Sequence, residues 1–224
     1  MVNENHLLLR KSFNFWDKLT SAEQNYIEEH TYLITYEAEH TLHSDDTNCL
    51  GMILLKTGCL RSYILSEQGK DVTLYRLYPG DICILSASCI LSNITFDIHI
   101  DVEEKSELLV IPSNIFSKLI KENIYIENFS YKIVTDKFSD VMWTMEQILF
   151  MSFDKRLAIF LLDESIKRKT NIIPLTHEQI AKYIGSAREV VSRMLKYFSS
   201  EGLITLQRGR IILEDIPNLK KLTL

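Results

Sequence analysis

The chain has 224 residues, 46% of them hydrophobic, with 25 basic and 30 acidic side chains and a formal net charge of −5. That length suits two domains and that apolar fraction suits packed cores, which excludes a disordered or low-complexity chain. The start of the chain has no basic segment leading into an apolar run, and no stretch of about twenty apolar residues follows, so neither a secretory signal nor a transmembrane helix is expected and the protein reads as cytoplasmic.

Ser21-Ala-Glu-Gln opens a short capped helix. Residues 31–111 are β-rich. Tyr32-Leu-Ile-Thr-Tyr is a strand, Met52-Ile-Leu-Leu and Leu60-Arg-Ser-Tyr-Ile-Leu flank a turn at Lys56-Thr57-Gly58, and Val72-Thr-Leu-Tyr-Arg-Leu follows a turn at Glu67–Lys70. Pro79-Gly80-Asp81 is another turn, Thr95-Phe-Asp-Ile-His-Ile-Asp alternates strictly, and Leu108-Leu-Val-Ile closes the set. Short strands at regular spacing predict a sandwich or barrel.

From Pro112 the pattern turns helical: a short helix, then a long one over Ile124–Met151. Tyr131, Val134, Phe138, Val141, Met145 and Ile148 step by 3, 4, 3, 4 and 3, a heptad seam that Ile124 extends backwards across the polar Glu127. Such a seam suits a parallel dimer; the plainer reading is a helix packed on its own barrel. Met142, Trp143 and Leu149 lie off the seam, so the expectation is a dimer on one side and the helix's own domain on the other. Asp154 stands near the break before the next helix, Lys155–Lys167, where a hinge is expected, and Lys167–Asn171 reads as a solvated loop.

Leu175–Gly202 reads as two short helices around a turn at Gly185. Thr176 and Gln179 form a capping box, and Ser186 with Glu189 is expected to form a second. Ala187, Val190, Val191, Met194, Leu195 and Phe198 recur at helical spacing toward a core, leaving Arg188, Glu189, Ser192, Arg193 and Lys196 on the other face. Gly202 stops the helix, and Leu203–Leu206, Gln207-Arg208-Gly209 and Arg210–Leu213 read as a β-hairpin wing. A polar helix face of this kind fits the major groove of DNA. Arginine can bind guanine with two hydrogen bonds and glutamate can accept from cytosine, while Thr176, His177, Lys196, Arg208 and Arg210 are placed to meet phosphates. A charged helix face is more often simply solvated and Glu189 can serve only as a cap; two caps, a glycine turn and a wing in order favour the DNA reading. Charge agrees. Residues 151–224 carry 13 basic and 8 acidic side chains, a net of +5, against 12 and 22, a net of −10, in residues 1–150.

This layout resembles the Crp/Fnr family of bacterial transcription regulators over about residues 15–215, most specifically in Leu175–Arg210. The resemblance implies an α+β chain: a sensor domain over 1–122, a cyclic-nucleotide-binding-like, jelly-roll-like double-stranded β-helix; a dimerisation helix over 123–152; and a winged helix-turn-helix over 153–224. Arg188, Glu189 and Arg193 match the family's base-reading positions and Ser192 a further one; Arg188 is similar to the Crp-type pattern, Ser192-Arg193 to the Fnr-type. It implies a homodimer on an inverted repeat of double-stranded DNA, with half-sites about one helical turn apart. Half-sites with a GA step are expected, Arg193 reading G and Glu189 the C paired with a G. Contact with RNA polymerase, no membrane and no enzymatic activity go with this reading, since no nucleophile–base motif, phosphate loop or metal-hydrolase spacing is visible and no catalytic or metal-ligating residue is assigned.

The effector region departs from the family. In nucleotide-binding members, Pro-Gly-Asp is soon followed by Gly-Glu and then Arg-Ser or Arg-Thr, which hold ribose and phosphate. Here no Glu or Arg stands between Asp81 and Asp97. Neither cAMP nor cGMP is expected to bind tightly, and the effector is unknown. Of the four cysteines, Cys49, Cys59, Cys83 and Cys89, none lies in the first 48 residues, where Fnr-type oxygen sensors hold most cluster ligands. The spacing of Cys83 and Cys89 matches no common cluster or zinc motif. Free cysteines are most often small buried hydrophobes; the sharper reading makes Cys83 and Cys89 sensors of redox state, or binders of a metal or small molecule. His99 lies on an alternating strand, where a haem ligand is conceivable and an exposed strand histidine more ordinary; His40 and His43 belong in a surface loop. The expected mechanism is a population shift, in which the N-terminal domain biases the long helix and hinge and so the spacing of two recognition helices. Two other readings are a ligand-independent DNA binder and a protein-interaction module with a degenerate DNA-binding domain; an enzyme is a distant third.

Overall fold

A computed structural model describes residues 4–42, 50–67, 69, 71–84 and 98–224. Among these the chain divides into two compact units, one of residues 4–69 and 74–142, the other of residues 71–73 and 143–224. The division falls between Met142 and Trp143, inside the long helix.

The first unit begins with α1 (Glu4–Ser12) and α2 (Ser21–His30), separated by a 3₁₀ turn at Trp16–Lys18. Thr20 caps α2 in a capping box with Glu23. The antiparallel, jelly-roll-like sheet follows: β1 (Tyr32–Tyr36), β2 (Thr41–Leu42), β3 (Met52–Leu65), β4 (Asp71–Leu77), β5 (Ile82–Cys83) and β6 (His99–Ile111). Strand order is β1-β6-β3-β4, with β2 on β6 and β5 on β3.

Two strands differ from expectation. The turn expected at Lys56-Thr57-Gly58 is part of β3, which runs on for 14 residues. Pairing with β6 shifts register between Leu55 and Thr57, and again on either side of Cys59. These residues are bulges that bend a strand, not a hairpin that ends it. Gly58 makes the bend possible, with φ +93° and the Lys105 carbonyl oxygen 2.6 Å from where a Cβ would stand. The strands expected at Thr95–Asp101 and Leu108–Ile111 join, from His99 onward, into the 13-residue β6. The charged run Glu103–Glu107 belongs to this strand because both neighbours hold it: Glu107 pairs with Thr35 on β1 and Thr57 on β3.

The central strands are buried on both faces, which is why their sequence is continuously apolar. Met52, Leu54, Leu109 and Ile111 face a cluster with Leu9, Phe13, Phe15 and Trp16 of the N-terminal segment and with Phe116 and Leu119 of α3 (Ser113–Glu122). Ile53, Leu55, Leu108 and Val110 face the opposite cluster with Leu60, Leu77, Cys83 and Val102. Helix α4 spans Ile124–Phe150 without a break.

In the second unit α5 (Phe153–Arg168) starts after Ser152, whose hydroxyl is the largest influence holding the Asp154 carboxyl below its ordinary pKa. Lys169 ends the helix in a left-handed conformation. Then come β7 (Ile172–Ile173), α6 (His177–Ile184), α7 (Arg188–Ser200), β8 (Ile204–Gln207), β9 (Arg210–Leu213) and α8 (Ile216–Lys221). The three strands pair as β7-β9-β8. One core joins Leu157, Leu161, Ile180, Val191, Leu195, Phe198, Ile211 and Leu219, all at most 1% exposed. Among the described residues no helix is long and apolar enough to cross a membrane.

Candidate nucleic-acid interface

Helix α6 is fixed at both ends. Thr176 and Gln179 form the expected capping box: the Gln179 N–H donates to Thr176 Oγ1 at 3.2 Å and the Thr176 N–H to Gln179 Oε1 at 2.9 Å. Gly185 ends the helix with φ +62°, and the Ser186 N–H returns to the Ala181 carbonyl at 2.9 Å. That bond overturns the second capping box. Ser186 belongs to the closing turn of α6, Ala187 occupies the N-cap position of α7, and no side chain caps it. Glu189 is therefore a first-turn acid in α7 with no Ser186 hydroxyl as reciprocal partner.

The two faces of α7 separate as its period requires. Val191, Leu195 and Phe198 are fully buried, while Arg188, Glu189, Arg193 and Lys196 are exposed. Ser192 is half-buried among them. A C-terminal turn closes the helix, the Leu203 N–H reaching the Phe198 carbonyl at 3.0 Å past Gly202. The wing is a two-residue hairpin, Gln207 pairing with Arg210 around Arg208-Gly209 with Gly209 at φ +74°. Arg208 is exposed at its tip, and Arg210 Nε donates to Gln207 Oε1 at 2.6 Å. Between wing and helix pair lies a cleft of about 380 Å³, lined by Thr176, His177, Glu178, Arg188, Arg210 and the backbone around Gly209. Of the expected contact residues, Thr176, His177, Arg188 and Arg210 thus share one concave surface.

Two contacts here have no sequence signature. His177 Nδ1 lies 2.8 Å from Ser192 Oγ, joining the first residue of α6 to the middle of α7. Burial, and then the charges of Arg188 and Lys196, hold the imidazole below its ordinary pKa. Arg156 of α5 donates from Nη1 to the Ile184 carbonyl at 3.0 Å, satisfying the last turn of α6 beside Gly185, while its own buried Nε has no hydrogen-bond partner among the described residues.

On α4 the expected seam splits. Tyr131, Phe138, Met145 and Ile148 are exposed at 57%, 62%, 47% and 39%, but Val134 and Val141 are partly buried against the Ile53–Val110 cluster of their own sheet. Met142 and Leu149, off the expected seam, are instead exposed at 46% and 65%. The open apolar stripe thus runs Ile124, Tyr131, Phe138, Met142, Met145 and Leu149.

Of the effector candidates, Cys83 is buried in the sheet interior beside the Tyr75 ring and His99 stacks on Tyr63 with centroids 5.3 Å apart. Cys59 is also buried; desolvation and then Glu103 push its thiol up to about 12, so it is no thiolate at neutral pH. Cys49, Cys89 and His43 lie outside the described residues. Among the described residues no cluster of three or more His, Cys, Asp or Glu could hold a metal ion. His40 is exposed and stacks on Tyr36.

Residues 33–123 match the cyclic nucleotide-binding domain and residues 155–222 the Crp-like helix-turn-helix domain. The crystal structure of a transcriptional regulator assigned to the Crp/Fnr family, from Eubacterium rectale, is 40% identical, covers 95% of this chain and 99% of its own, and superposes with a TM-score of 0.90. Regulatory protein HlyX of Actinobacillus pleuropneumoniae is 24% identical over 173 residues, 74% of this chain and 70% of that protein. An anaerobic regulatory protein of Bacillus subtilis is 25% identical over 195 residues, 84% and 78% of the two chains. With both domains matched and a full-length relative at 40% identity, the chain belongs to the Crp/Fnr family: it is a transcription regulator with a helix-turn-helix DNA-binding domain.

Proposed function

We propose that the protein acts as a homodimer on an inverted-repeat operator, with α7 of each copy in the major groove of one half-site. The observation that carries this is the exposed Arg188-Glu189-Arg193-Lys196 face of α7, held up by fully buried Val191, Leu195 and Phe198 and flanked by the arginines of the wing. Arg188, Glu189, Ser192 and Arg193 read bases, with Arg193 on the G of a GA step and Glu189 on the C paired with a G. Thr176, His177, Lys196, Arg208 and Arg210 border the phosphates. In this reading residues 1–122 sense, 123–152 dimerise and 153–224 bind DNA. The exposed stripe of α4 meets its copy in the partner, and the protein works in the cytoplasm, touches RNA polymerase and catalyses no reaction. Its activity is set by an effector or redox signal other than cAMP or cGMP, because Asp81–Asp97 supplies no Glu or Arg for a ribose phosphate.

The test is an operator enriched from random duplex DNA by the full-length protein. Arg193→Ala is expected to weaken binding to it by about tenfold or more, since a bidentate arginine–guanine pair discriminates by roughly 1–3 kcal/mol. Equal binding by the variant would remove Arg193 from the readout.

A further inference from the structure

A serine inside a helix commonly turns its hydroxyl back to the carbonyl four residues earlier. In α4 Ser130 donates to Ile126, Thr135 to Tyr131 and Ser139 to Thr135, at 2.8, 2.8 and 3.1 Å. Ser192 does not follow this habit. Its Oγ lies 2.8 Å from His177 Nδ1, on the other helix of the pair, and among the described residues it has no second hydrogen-bond partner. His177 has little freedom to drift, because it is the first residue of α6 and follows Thr176, which caps that helix in a box with Gln179. The ring is half-buried, with Arg188 and Lys196 as the cations that bear on it, and both disfavour a proton. A neutral imidazole carries one N–H and one lone pair. With the lone pair at Nδ1, the Ser192 proton points inward to the ring and the oxygen's remaining lone pairs point out from α7.

We propose that His177 is a positioning residue for base readout: its Nδ1 accepts a hydrogen bond from the Ser192 hydroxyl, keeps that hydroxyl off the Arg188 carbonyl, and presents Ser192 to the groove as a hydrogen-bond acceptor. The group it then recognises is an exocyclic amino group, adenine N6 or cytosine N4, the donors of the major groove. This rests on the reading of α7 as the groove helix. It narrows the place given to His177 beside the phosphates: with Nδ1 held by Ser192 the imidazole acts on readout, whereas loss of a contact to the backbone alone would weaken all sequences alike.

The experiment uses the full-length protein and the duplex it enriches from a random pool, with affinity measured for every single-base change. Ser192→Ala is expected to flatten discrimination at one position of each half-site, by about three- to tenfold for one lost hydrogen bond. His177→Ala should flatten the same position, and the double variant should lose no more than either single one. His177→Asn, whose side-chain oxygen branches from the same carbon as Nδ1, should restore it. Replacing adenine there by purine, or cytosine by its 4-deamino analogue, should cost the wild type the same factor and leave Ser192→Ala unaffected. Melting curves of the variants separate these effects from misfolding, which would lower affinity at every position. The proposal is overturned if His177→Ala weakens all sequences equally while the Ser192 position still discriminates, or if 7-deaza-adenine, which keeps the amino group and lacks N7, costs affinity where purine does not. Failure of the wild type to enrich any sequence would instead sink the underlying reading of α7.

Discussion

His177 and Arg156 are single residues that tie helices together, His177 joining α6 to α7 and Arg156 joining α5 to α6, and both do so away from their neighbours in sequence. Arg156 meets the end of α6 from α5, and His177 meets the middle of α7 from the start of α6. Neither contact leaves a periodic trace, whereas the Thr176–Gln179 box and the left-handed Gly185 are local and readable. Ser186 shows the limit of local reading. Its spacing to Glu189 is that of a capping box, but the bond from its N–H to Ala181 commits it to the preceding helix. The imidazole also carries a pH signature. Its folded pKa lies below its ordinary value, so as pH falls the unfolded chain takes up the proton first. Stability is therefore intact above the unfolded value of about 6.5 and is lost as pH drops from there toward the folded value. Urea midpoints of the wild type are expected to fall more between about pH 7.5 and 5.5 than those of His177→Asn. Equal falls would mean that the ring titrates alike in both states.

Among the elements, α4 shows what a heptad count can and cannot deliver. The steps of 3 and 4 mark apolar residues of the helix but not one face, because a helix 27 residues long turns past any single seam. Val134 and Val141 face their own sheet, while Tyr131, Phe138, Met142 and Leu149 stay open. The two sets should answer differently to substitution. Phe138→Glu is expected to shift sedimentation toward monomer at micromolar concentration. Val141→Ala should leave sedimentation unchanged and cost about 1–3 kcal/mol in unfolding free energy. A monomerising Val141→Ala with unaltered stability would reverse the assignment. The sheet was less legible. Sequence divides β3 at Lys56-Thr57-Gly58 because those residues favour a turn, and breaks β6 at its charged run because such residues rarely choose a strand. Pairing on both sides outweighs both preferences.

For the whole molecule, charge is divided much as function is: +5 over residues 151–224 and −10 over residues 1–150. An acidic chain then binds DNA through one end, and its affinity should fall steeply with salt as counterions are released. Each lysine or arginine on a phosphate contributes about −0.9 to the slope of log K against log salt. On the proposed dimer, with Arg208 of each copy at a phosphate, Arg208→Ala would remove two such contacts, so the slope should become shallower by about 1.8, with base preferences unchanged. A salt titration with an unaltered slope would take Arg208 off the phosphate backbone.

The long β3–β6 pairing sets a clock for folding. Met52 bonds opposite Ile111 and Tyr63 opposite His99, whereas Ile204 meets Leu213 within one short hairpin. Non-local strands are slow to find each other because the intervening chain must first be closed into a loop. During synthesis β3 leaves the ribosome on the order of seconds before its partner exists. Its Met52–Leu55 run, buried on both faces when folded, waits unpaired through that interval, an opening for aggregation or for a chaperone. Helical signal should accordingly return before the environment of Trp16, which sits buried against the finished sheet. Stopped-flow refolding of a Trp143→Phe variant, in which Trp16 is the sole tryptophan, can time the two. Simultaneous recovery would mean that the sheet forms no later than the helices.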